Sequence, residues 1–121
     1  MNHVRLFATA EGESRIEPRE VCFAPTALEG GNMTMGMSAP VPVGQLTHFH
    51  LPEGWIQDWH RAPRRQFVIV HEGEMRIETS DGRNCTIRPG DSLLVEDISG
   101  KGHRTTVPAG ECRGIVVTTP D

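Results

Sequence analysis

The sequence predicts an all-β protein, a sandwich or barrel, on three observations. No stretch of the 121 residues sustains a 3.6-residue apolar period bounded by helix caps. Short apolar or alternating runs recur instead, separated by turns drawn from 13 Gly and 9 Pro. Between two such runs, Asp81-Gly82 is the strongest hairpin signal in the chain and reads as a type I′ turn, with positive φ at both central positions. The length suffices for one domain with one core.

His3 to Ala8 alternate weakly and read as a first strand. After the turn at Glu11-Gly12-Glu13-Ser14, Arg15-Ile16-Glu17-Pro18 is a short edge piece ended by proline. Val21 to Ala24 form a short apolar piece before Pro25, and Thr26 to Gly36, with Gly30-Gly31-Asn32, read as a loop. Met33, Met35 and Met37 recur at period 2; such a row fills a core or a subunit interface more often than it binds metal.

Val43 to Leu51 read as a longer strand in which His48 and His50 share one face. The pair could ligate a metal, but the preferred reading turns Phe49 and Leu51 to the interior and leaves both imidazoles outside. Asp58-Trp59-His60-Arg61-Ala62-Pro63-Arg64-Arg65-Gln66 then leads into Phe67-Val68-Ile69-Val70, with a turn at His71-Glu72-Gly73. The latter run is apolar on both faces, so a barrel interior covers one side and a second layer or subunit must cover the other. Glu74 to Thr79 alternate, with Met75, Ile77 and Thr79 on one face. Asn84 to Arg88 is its hairpin partner, and Pro89-Gly90-Asp91 turns into Ser92 to Glu96. Ser99-Gly100-Lys101-Gly102 delivers His103 to a strand through Val107, and Cys112 to Thr118 closes the chain.

The net charge of −4, with eleven Arg among twelve cations, offers neither the basic surplus that nucleic acid requires nor a polybasic segment for anionic lipid. No apolar run approaches the roughly 18 residues of a membrane span. Met1 to Leu6 lack a signal-peptide core. Cys22, Cys85 and Cys112 have no CxxC spacing and read as free thiols in a reducing compartment, so the expected location is the cytoplasm. Gly100-Lys101-Gly102 lacks the following Ser or Thr and the strand-to-helix context of a phosphate-binding loop.

His60-x-Ala62-Pro63-x-x-Gln66, then six residues to Gly73, followed by Pro89-Gly90-Asp91 and His103, resembles the two motifs of a cupin. More narrowly, Gly12-Glu13-Ser14, Asp58-Trp59-His60, Ala62 to Gln66 and Glu96-Asp97 before Gly100-Lys101-Gly102-His103 resemble small single-domain bacterial cupins. The resemblance implies a double-stranded β-helix, the jelly-roll barrel, with residues 1–40 as N-terminal strands and loop and 41–121 as the barrel carrying both motifs. It also implies a homodimer and a ligand or metal inside the barrel.

Relative to the family pattern, either Ala62 stands at the second His position, or Asp58 and His60 take the paired positions with five residues before Gln66; in both alignments Gln66 stands at the Glu position. That leaves a divalent transition metal with His60, Gln66 and His103, a set without the anionic ligand that offsets its charge. Three readings follow: a weak metal site on these residues; acid–base catalysis by His60, His103 and Glu96; or simple ligand binding. Gln66, Trp59 and Arg65 are expected to line the ligand pocket. Arg65 at the barrel mouth would favour a carboxylate ligand, whereas on a solvated rim it would pair with Glu or Asp. Glu96-Asp97 read equally as turn carboxylates in water or as pocket groups. In function these correspond to a small-molecule enzyme, including a metal-dependent dioxygenase; a ligand-binding sensor; or an interaction dimer with a vestigial pocket.

Overall fold

A computed structural model describes residues 2–120. Every helix or strand in that span is a strand: β1 (His3–Ala8), β2 (Ser14–Pro18), β3 (Ala24–Thr26), β4 (Met35–Met37), β5 (Leu46–Leu51), β6 (Ile56–His60), β7 (Gln66–Glu72), β8 (Met75–Thr79), β9 (Asn84–Ile87), β10 (Ser92–Val95), β11 (His103–Thr106) and β12 (Cys112–Thr118). Six form one sheet in the order β2-β1-β10-β7-β12-β5, and four form a second in the order β6-β11-β8-β9. β3 and β4 pair only with each other.

Strand alternation builds the core between the two larger sheets. Leu6, Val68, Val70, Leu93, Val95 and Cys112 project from the first toward Met75, Ile77 and Ile87 of the second. Each large apolar side chain buried in this way contributes about 1.5–3 kcal/mol. On β8 the predicted face is the buried one: Met75, Ile77 and Thr79 are buried, while Arg76 and Glu78 face outward. β5 follows the preferred reading, with Phe49 and Leu51 half-buried toward the interior and His48 and His50 exposed. His50 Nε2 lies 3.3 Å from a Glu111 carboxylate oxygen.

Several turns differ from expectation. The Asp81-Gly82 hairpin forms, but Gly82 alone has positive φ, so the turn is not type I′. The Gly82 amide donates to the Thr79 carbonyl at 3.1 Å, and the Thr79 amide to the Arg83 carbonyl at 2.9 Å. This is a three-residue loop: a type I turn closed by a left-handed glycine. The Asp81 carboxylate accepts from the Thr79 hydroxyl at 2.6 Å, and Asp81 does not have positive φ. His71 and Glu72 extend β7 instead of turning, because Glu72 still pairs with Arg113 of β12; the reversal falls at Gly73, φ 73°.

Pro89-Gly90-Asp91 makes the expected tight turn. Gly90 has φ 92° and the Asp91 amide donates to the Arg88 carbonyl at 2.9 Å, the type II arrangement. The buried Asp91 carboxylate accepts from the amides of Arg88 (2.9 Å) and Asn2 (2.7 Å), tying the first strand to this turn.

The segment expected as a loop over 26–36 contributes Met35–Met37 to the small hairpin, and Met33, Met35 and Met37 are exposed rather than in the core. The three thiols are free; burial pushes the Cys85 thiol up to about 11, so it is protonated at neutral pH. Among the described residues no helix is long and apolar enough to cross a membrane.

Candidate functional site

A cavity of about 250 Å³ opens between the two larger sheets. Phe49, Leu51, Trp55, Val68, Met75 and Leu93 supply much of its apolar wall. Its polar groups are His60, His103, Gln57, Gln66 and Thr105.

The two imidazoles meet because of one glycine. His103 opens β11 and pairs with His60 at the end of β6. Just before it, Gly102 has φ 76° and packs its Cα on the His60 carbonyl, where a Cβ would overlap both carbonyl atoms. Only glycine tolerates both the dihedral and the contact. The rings consequently lie 4.3 Å apart between centroids, tilted by 56°.

Each ring has its Nδ1 engaged away from its partner. His103 Nδ1 is 2.6 Å from Asp97 Oδ2, and His60 Nδ1 is 2.7 Å from the Asp58 carbonyl oxygen. A carbonyl only accepts, so His60 Nδ1 carries the hydrogen; a carboxylate imposes the same on His103. In the neutral rings both Nε2 atoms are then acceptors.

Asp97 is fully buried, and His103 is 5 % exposed. The Asp97 carbonyl accepts from the Ala62 amide at 3.0 Å, so the segment after β10 is fastened to the segment after β6. Its second carboxylate oxygen, Oδ1, is buried without a hydrogen-bond partner. A buried carboxylate left half-satisfied is costly, so its position is dictated by the imidazole it orients.

Of the residues expected at the pocket, His60, Gln66 and His103 line the cavity, and Trp59, Arg65 and Glu96 do not. On β10 and its extension, Leu93 and Val95 face inward and Leu94 and Glu96 outward. Glu96 is gripped there by Arg5 Nε and Arg65 Nε, each at 2.5 Å. Arg65 is therefore an ion-pair partner on the outer face, not a cation at the barrel mouth. Trp59 is exposed on the opposite surface, beside Arg76 and Lys101. Trp55 takes the wall position instead.

Gln57 escaped the sequence reading, which left Asp97 open between water and the pocket. Parity along Leu93, Val95 and Asp97 was the available signal, but Leu94 is also apolar and blurred the alternation. Ala62 is buried on the cavity wall.

Burial pushes the Glu96 carboxyl up, but the hydrogen bonds from Arg65 and Arg5 prevail and hold it below its ordinary 4.5. A depressed carboxyl adds stability above its unfolded pKa and loses it as pH falls through the folded value. Glu96→Gln is accordingly expected to cost about 1 kcal/mol at pH 7, both arginines being substantially solvated. The gap to the unsubstituted protein should narrow as pH drops below 4.5, read by urea denaturation at each pH. A gap independent of pH would dissociate the effect from the carboxylate.

The donors do not fit a resident divalent metal. The cavity offers two imidazoles and two carboxamides, no carboxylate is among its described lining residues, and Asp97 is on the Nδ1 side of His103. Among the described residues no three His, Cys, Asp or Glu side chains form a metal-ligand group.

Comparison with known proteins adds the following. The family described as Cupin domain matches residues 47–118, a span that holds both imidazoles, Gln66 and Asp97. The crystal structure of protein NMB1881 from Neisseria meningitidis is similar at 22% sequence identity and a TM-score of 0.49, over 61% of this chain and 71% of that one. No curated protein matches.

Proposed function

The chain belongs to the cupin family, which in general supports a small-molecule-binding or metal-related role, and on that premise we propose that its cavity binds a small, neutral, largely apolar organic molecule carrying an O–H or N–H group. The observation behind this reading is the pair of acceptor nitrogens. With Nδ1 of His60 and His103 committed to Asp58 and Asp97, both Nε2 lone pairs are left for a ligand donor. Gln57 and Gln66 add amides that both donate and accept. Among the described residues no Lys or Arg lines the cavity, so a carboxylate would enter without a counter-charge. A volume of about 250 Å³ sits just under the roughly 300–1,000 Å³ of ligand pockets generally, which suits a single-ring compound.

The same arrangement supports acid–base chemistry on the bound molecule. His103 Nε2 would take a proton from the ligand and return it, while Asp97 holds the ring in one orientation and tautomer. No metal is needed for that step, and the reading favours it over a metal-dependent dioxygenase because the donor set lacks an anionic ligand.

The test is a panel of para-alkyl phenols, the matching benzoates and the matching alkylbenzenes, titrated calorimetrically and by thermal shift. Phenols are expected to bind more tightly than either counterpart. His60→Leu and Gln66→Leu should each weaken phenol binding about tenfold or more, the size of one lost buried hydrogen bond. Preferential benzoate binding, or phenol binding indifferent to both substitutions, would overturn the reading. So would stoichiometric metal in the purified protein that His60→Ala removes.

A further inference from the structure

The segment between β2 and β5 leaves one edge of the six-stranded sheet and returns at the other. It begins on the outer face, where the Arg19 guanidinium lies 5.2 Å from the Phe67 ring centroid. It ends where the amides of Gly44 and Gln45 bond to Thr118. Between these anchors it does not pack on the sheet that it spans: residues 27–48 are all exposed, including Leu28, Met33, Met35, Val41, Val43 and Leu46. Its β3–β4 hairpin has three residues per strand and joins neither sheet. A hairpin of that size is not stable alone in water and needs an apolar surface against it.

The outer face of the six-stranded sheet is a second apolar surface. Phe67 and Ile69 of β7 are paired in register with Val117 and Ile115 of β12, and Leu46 of β5 extends the row beside Val117. These side chains point away from the core, and all remain at least partly exposed. An antiparallel sheet with one solvated face ordinarily carries polar residues there. Exposed area gives the scale. The chain exposes 7546 Å², against about 6,500 Å² for a compact monomer of its mass. The excess, about 1,000 Å², is close to the roughly 800 Å² per partner that a stable interface buries.

We propose that the arm of residues 20–45 docks on the outer sheet face of a second copy of this chain, reciprocally about a two-fold axis. Each chain holds one arm and one receiving face, which the two-fold satisfies together. Charge agrees: residues 20–45 carry only Glu20 and Glu29, with no Lys or Arg, while on the receiving face Arg5 and Arg65 are balanced by Glu17 and Glu96 and Arg19 stands over Phe67. The methionine row is then interface filler, adaptable to the surface that it meets. The assembly is independent of what the cavity binds.

Light scattering of the full chain at about 50 µM tests it. The unsubstituted protein should have twice the 13.4 kDa chain mass. An arm variant, Met33→Glu with Met35→Glu, and a face variant, Ile69→Glu with Ile115→Glu, should each run as monomers. The arm variant places charge only on side chains already exposed, so its circular dichroism and melting report whether the barrel is intact. Mixed, the two variants should regain the dimer mass, since an intact arm then meets an intact face. Face-to-face or arm-to-arm association predicts no such recovery. A monomeric unsubstituted protein, a dimer that survives the arm variant, or a mixture that remains monomeric would each overturn the proposal.

Discussion

His103→Ala is expected to destabilise the protein by about 3 kcal/mol, the upper end of the cost of leaving a buried acceptor without its donor, because that acceptor is a carboxylate. His103 is 5 % exposed and Asp97 fully buried, with Nδ1 and Oδ2 2.6 Å apart. Asp97 has no second partner to fall back on, because its Oδ1 is already unpaired. Truncating the ring leaves a buried carboxylate with no donor, and Tm should fall by more than about 10 °C. Replacing both residues with apolar ones, Asp97→Leu with His103→Met, removes the orphaned charge and is expected to recover most of the loss. The double-mutant cycle then measures the coupling directly. A cost below about 1 kcal/mol for His103→Ala would mean that the dyad is solvated rather than buried, and would remove the basis for assigning Asp97 an orienting role.

Gly102→Ala carries the other large effect. A methyl group there must accept φ 76° and also displace the His60 carbonyl, which is backbone and cannot rotate away. The dihedral alone costs about 1–2 kcal/mol, and overpacking adds about 1–3 kcal/mol. Gly82→Ala is the matched control: its φ is 85°, yet a Cβ there meets nothing within 4 Å, so only the dihedral cost applies. Thermal denaturation should therefore rank Gly102→Ala well below Gly82→Ala. Because Gly102 sets the approach of His60 to His103, any folded fraction should also bind phenols more weakly. Equal melting temperatures for the two variants would show that the His60–Gly102 contact yields at little cost.

The strands were legible in the sequence to different degrees, for physical reasons. β1 and β12 have the predicted bounds, and β8 the predicted faces, because alternation with one buried face leaves a clear period-2 trace. β3 and β4 were obscured by Pro25 and Gly36, which face each other across the pair and read as breakers. His48 and His50 were placed correctly by the parity of Phe49 and Leu51. At Asp81-Gly82 the dipeptide announced a hairpin, but the loop is one residue longer than a type I′ turn, with only Gly82 at positive φ.

The sequence by itself determined the all-β architecture, the motif order that identifies the family, and the positions of His60, Gln66 and His103. Set against the family that the chain resembles, it also implied a carboxamide, Gln66, at the carboxylate position. The strands and the motif order are local features. Only the tertiary structure decided which carboxylate serves the site. Glu96 and Asp97 are adjacent, and nothing short-range separates them. Successive side chains leave opposite faces of the sheet, so one went outward to Arg5 and Arg65 while the other went inward to His103.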